Sequence, residues 1–116
     1  MDKTKQINTY RQFHGQLLIS DIGKELRRIA KIERGTFKIL TGYGASTGVS
    51  QSKQAALKSL ANMKREGLIA GYLPGDIRNQ ALSISSPFYD TKSKYWPQIK
   101  TDPDYGNRGI IFVFVK

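Results

Sequence analysis

Apolar residues fall along this chain in short clusters, and their spacing switches between the period of a strand and that of a helix. Asn8 to Phe13 alternates imperfectly and reads as a first strand, with Tyr10 apolar between Thr9 and Arg11. His14-Gly15 interrupts it. Ile22, Leu26, Ile29 and Ala30 then recur at i, i+4, i+7 and i+8, which sets them on one helical face. Lys24, Arg27, Arg28 and Lys31 lie mostly off that face. Ser20 or Asp21 can cap this helix, and Gly35 suits its C-terminal stop. Thr36 to Leu40 reads as a buried strand and runs into a loop with glycines at 42, 44 and 48. A second helix starts near Ser50, with Ser50 or Ser52 as its cap and Gly67 at its end. Ala56, Leu57, Leu60, Ala61 and Met63 form its apolar side.

Leu68 to Leu73 reads as a third strand, closed by the turn Pro74-Gly75-Asp76. The weak alternation of Ala81 to Ser85 is compatible with an extra strand. Pro87, Pro97, Pro103 and Gly106 then alternate with Phe88, Tyr89, Tyr95, Trp96 and Tyr105. A stretch this aromatic is an ordered excursion on the sheet edge or a binding loop. From Ile110 to Val115 every residue is β-branched or aromatic, the signature of a strand covered on both faces. The pattern therefore predicts one α/β domain over residues 1–116, with a frayed tail at 1–7 and an insert at 77–107. The expected architecture is a two-layer sandwich. Two helices pack on a roughly four-stranded, mixed or mostly parallel sheet in β-α-β-α-β-(insert)-β order, with Ile110 to Val115 central.

Charge changes this picture from a fold to a set of partners. The formal net charge is +10, and it is uneven. Residues 1–65 hold 13 Lys/Arg against 4 Asp/Glu, whereas residues 66–116 hold 6 against 5. A basic half beside a balanced half points to a polyanion, DNA or RNA, as partner. With no cysteine, disulfides and thiolate metal sites are excluded, and a reducing cytoplasm is the expected compartment. No apolar run approaches a membrane span and no secretory signal is visible, so no membrane partner is expected.

The candidate chemistry centres on the loop Thr41-Gly42-Tyr43-Gly44-Ala45-Ser46-Thr47-Gly48. Strand, glycine loop and helix in succession offer backbone N–H groups to an anion. No Gly-Lys-Ser/Thr closes the loop, so it is not a Walker A sequence. Taken together, His14-Gly15, Thr41-Gly42-Tyr43-Gly44 and the closing glycine-led strand from Gly106 and Gly109 to Val115 resemble the Smr (small MutS-related) domain. The 27 residues from His14 to Thr41 are close to that family's spacing. The resemblance implies binding of DNA or RNA, and nicking or cleavage of it. The chain departs from the family at Arg11-Gln12-Phe13, where the family has an acidic residue before its His-Gly. It also has Thr41 where many bacterial members have histidine, and a longer insert.

Within this frame His14 and Thr41 are the candidate catalytic groups, His14 as base. His14 reads equally as a structural histidine at a strand end. Gly42, Tyr43, Gly44, Ser46, Thr47, Lys53, Lys64 and Arg65 are candidate phosphate and nucleic-acid contacts, joined by Arg27 and Arg28. Tyr43 stacks on an unpaired base or packs on the second helix. The glycines approach a phosphate or merely make a tight turn. No cofactor is expected. A divalent metal has no assigned ligands, with Asp102 and Asp104 the one close acidic pair. A protein-interaction module of a mobile-element or phage-like system, working through the aromatic insert, and a small-molecule phosphate enzyme are the alternatives.

Overall fold

The computed structural model describes residues 7–42, 50–79 and 82–116. The expected tail therefore lies outside the described residues except for Ile7. Four strands, β1 (Asn8–Tyr10), β2 (Thr36–Leu40), β3 (Gly71–Pro74) and β4 (Ile110–Phe114), form one sheet in the order β1-β2-β4-β3. The helices are α1 (Ile22–Ile32), α2 (Gln51–Arg65) and α3 (Tyr89–Ile99). The α/β class and the four-stranded mixed sheet are as expected, and β4 is central.

Among the described residues only β1 and β2 pair in parallel; β2–β4 and β3–β4 are antiparallel. The sheet is thus mixed but not mostly parallel. The reason lies in the connection between β3 and β4. It leaves from Gly75 and returns to it, since the Gly106 N–H donates to the Gly75 carbonyl at 2.9 Å. A chain that comes back to the end it left must enter the next strand in the opposite direction.

That connection also supplies the third helix. The insert contains α3, and the described part of Ala81–Ser85 is irregular, with a turn at Ile84 and Ser85, rather than a strand. Thr91, Tyr95 and Ile99, at i, i+4 and i+8, are the buried face of α3. Tyr95 stacks on Phe114 of β4 with ring centroids 3.9 Å apart. The residues of β4 alternate accordingly. Ile111 and Val113 join the core beneath α1 and α2, whereas Ile110, Phe112 and Phe114 join the core beneath α3. Helices therefore cover both faces of the sheet, and the expected two-layer arrangement gives way to one with α3 as an added layer. Phe112 and Val113 are fully buried, as the uninterrupted apolar run requires.

The first helix follows its pattern: Ile22, Leu26, Ile29 and Ala30 are its buried residues. In α2 the buried residues are Ala56, Leu60 and Met63. Ser50 is its N-cap, accepting the Lys53 N–H at 3.2 Å.

Candidate nucleic-acid interface

Because β1 and β2 are parallel, Tyr10 lying opposite Ile39, both strands finish at the same end of the sheet. His14-Gly15 follows the first and Thr41-Gly42 the second. The antiparallel pairs bring two more segments to this end, Pro74 to Asp76 after β3 and Asn107 to Gly109 before β4. The N-terminus of α2 opens here as well.

A set of hydrogen bonds fastens the two ends of the glycine loop. The Thr41 N–H donates to the Gly109 carbonyl at 2.6 Å, and the Thr41 hydroxyl donates to the same oxygen at 3.1 Å. The Gly42 N–H donates to Ser52 Oγ at 3.1 Å, and Ser52 Oγ is 2.8 Å from Ser50 Oγ. The exit of β2 is thus tied to β4 on one side and to the first turn of α2 on the other. Tyr43, Gly44, Ser46 and Thr47, together with Gly48, lie between these ties and outside the described residues.

The other predicted residues are placed as follows. His14 is exposed in a turn whose backbone bond runs from the His14 N–H to the Arg11 carbonyl at 3.1 Å. Gly15 takes φ +84°, a conformation that side chains rarely adopt, so this turn depends on glycine. Gln12 turns its amide to Glu25, at 2.9 Å. The hydrogen bonds from Arg28 and Gln12 pull the Glu25 carboxyl down to about 2.

Thr41 is fully buried, so its hydroxyl anchors β2 to β4 rather than facing a ligand. Lys53 is partly covered. Its ammonium donates to the Arg108 carbonyl at 2.9 Å and lies 3.4 Å from Asp76 Oδ2. Lys64 and Arg65 belong to the last turn of α2. Eleven residues separate Lys53 from Lys64, which at 1.5 Å per residue puts them about 17 Å apart along the helix. The structure therefore does not bring Lys64 and Arg65 to the loop. A cleft of about 760 Å³ lies near their end of the sheet, lined by Asn8, Glu33, Arg34, Thr36 and Gln98 among others.

One group escaped the sequence reading. Lys38, in the middle of β2, is 5% exposed. Its ammonium donates to Asp104 Oδ2 at 2.7 Å and to both oxygens of Asp102 at 3.0 and 3.2 Å. Burial pulls this ammonium toward the neutral form. The bonds to Asp104 and Asp102 outweigh that and hold its pKa above the usual lysine range. Two signals were present in the chain, a lone cation among Phe37, Ile39 and Leu40 and an isolated Asp-x-Asp pair. The carboxylates considered for a divalent metal thus bind a side-chain cation. Among the described residues no group of three or more His, Asp or Glu is placed to hold a metal.

Comparison with family models, with curated proteins and with solved structures finds no match. Among the described residues no helix is long and apolar enough to cross a membrane.

Proposed function

We propose that this chain is a nucleic-acid-binding domain of the Smr type in which cleavage of the phosphodiester is slow or absent. What supports the reading is the parallel pairing of β1 and β2. It sets His14-Gly15 and Thr41-Gly42 at one end of the sheet, where Gly42 is bonded to the first turn of α2. Such an end suits a phosphate, since the first turn of a helix carries N–H groups without helical partners. The net charge of +10 provides long-range attraction for the same partner.

Weak chemistry follows from the neighbours of His14. Cleavage needs an activated oxygen and stabilisation of the developing phosphate charge. Gln12 stands where the family has an acidic residue, and its amide is committed to Glu25. The Thr41 hydroxyl is buried against the Gly109 carbonyl. His14 is left as the base, and the first turn of α2 is the element that meets the phosphate.

The test is binding and cleavage of labelled DNA and RNA, with and without Mg²⁺, by the wild type and His14→Ala. The expected result is binding by both proteins, with any cleavage lost in the variant. Full cleavage by His14→Ala, on protein free of contaminating nuclease, refutes the role given to His14. Absence of binding to every nucleic acid at low salt refutes the function.

A further inference from the structure

We infer that the outer face of α1 and α2 is a docking surface for the two phosphate strands of double-stranded nucleic acid, and that it supplies most of the affinity. This rests on the nucleic-acid reading but places the contact elsewhere, away from the glycine loop. The apolar faces of both helices are spent on the core, where Leu26, Ile29, Leu60 and Met63 are fully buried. Their outer faces carry Lys24 and Lys31 on α1 and Lys58 and Arg65 on α2, all exposed, with Lys64 exposed on the flank of the last turn of α2.

Two carboxylates flank this face, and each is held by an arginine of α1. Glu25 binds Arg28 at 2.7 Å, and Glu66 binds Arg27 at 3.0 Å. No ion pair involving the other five cations occurs among the described residues. Arg65 also donates to the Asn62 side chain of its own helix, but all five charges are left without a counter-ion among the described residues and can meet an external polyanion.

Their spacing selects a duplex. Lys24 and Lys31 are seven residues apart, as are Lys58 and Arg65, so each row is about 10 Å long. The helices pack side by side, with Gly23 of α1 facing Ser59 of α2, at an interaxial distance of about 8–10 Å. Two rows of cations at that separation fall within the range of duplex groove widths, about 6–12 Å. A single strand offers one row of phosphates, and proteins hold it by stacking bases on aromatic rings. Neither α1 nor α2 contains an aromatic residue. The exposed Tyr89 and Trp96 lie on α3, across the sheet. An anionic membrane is disfavoured because an interfacial helix must insert an apolar face, and those of α1 and α2 are in the core.

Four phosphate contacts, two on each helix, predict a slope of about −3.6 in log K against log salt, or roughly 150-fold weaker binding at 200 mM than at 50 mM. The experiment measures the full chain, by fluorescence anisotropy, against a 20-base-pair DNA duplex, the equivalent RNA duplex and the separated strands. Phosphatidylserine vesicles are a further arm. The expected result is duplex binding at least tenfold tighter than single-strand binding, of either nucleic acid. Lys31→Ala/Lys58→Ala, at exposed positions, should reduce the duplex slope by about 2 without altering the melting temperature. Equal or tighter single-strand binding overturns the inference, as does an unchanged slope in the variant or a preference for vesicles. Each of these leaves the function reading intact. Failure to bind any of the nucleic acids overturns both.

Discussion

Lys38→Met separates what holds this fold together from what binds a partner. Methionine keeps the aliphatic stem and removes the ammonium. Asp102, whose side chain is 9% exposed, then loses its cation while buried beside Asp104. Breaking a buried pair by removing one member costs roughly 3–5 kcal/mol. Asp104 is 31% exposed and can turn to water, so the lower end applies, about 3 kcal/mol. For a domain of this size that lowers the melting temperature by about 12 °C.

The assay is urea unfolding at pH 7, followed by the fluorescence of Trp96, the single tryptophan, which packs edge-on against Tyr105. Lys38→Met/Asp102→Asn should recover most of the loss, because the stranded charge is gone. The wild-type contribution also has a defined pH window. Its folded pKa is raised, so the stabilisation is complete below the unfolded lysine value of about 10.4 and fades as pH rises through the folded one. A loss below about 1 kcal/mol, the range of an exposed pair, refutes this account. So does a double variant no more stable than Lys38→Met.

Gly75→Ala should destabilise by about 2 kcal/mol or more, since a Cβ there would sit 2.4 Å from the Asn107 carbonyl oxygen; thermal unfolding reads it. Tyr95→Phe should be neutral or stabilising by about 1 kcal/mol in the same assay, because the buried Tyr95 hydroxyl finds no hydrogen-bond partner among the described residues. The Glu25 carboxyl is held down to about 2 by its bonds from Arg28 and Gln12. Its stabilisation is therefore present above the unfolded value of about 4.3 and lost as pH falls through the folded one. Glu25→Gln should flatten the stability curve across that acid window.

Legibility tracked the distance between a residue and its partner. The α1 face was plain because Ile22, Leu26, Ile29 and Ala30 define it within one helix. The run from Ile110 to Val115 announced a strand covered twice, but not what covers it. The third helix was hidden because its inward positions are Thr91, Tyr95 and Ile99, only one of them aliphatic, and Pro97 interrupts its last turn. Missing α3 meant missing the second helical layer and the direction of β4.

The site divides in the same way. Thr41 and Lys53 were chosen for groups that suit a phosphate. Their partners are the Gly109 and Arg108 carbonyls, on a segment more than fifty residues further along the chain. Lys64 and Arg65 are candidate phosphate contacts like Lys53, yet the rise of the helix they share carries them to its other end. Lys38, outside every motif, is bonded to both Asp102 and Asp104. A basic side chain is available to a polyanion only after its internal partners are counted. That count removes Lys38, Lys53, Arg27 and Arg28 and leaves the lysines of the outer helical face. Motif and charge, which run together in the sequence, thus lie on different surfaces of the fold, and the variants at His14 and at Lys31/Lys58 address them independently.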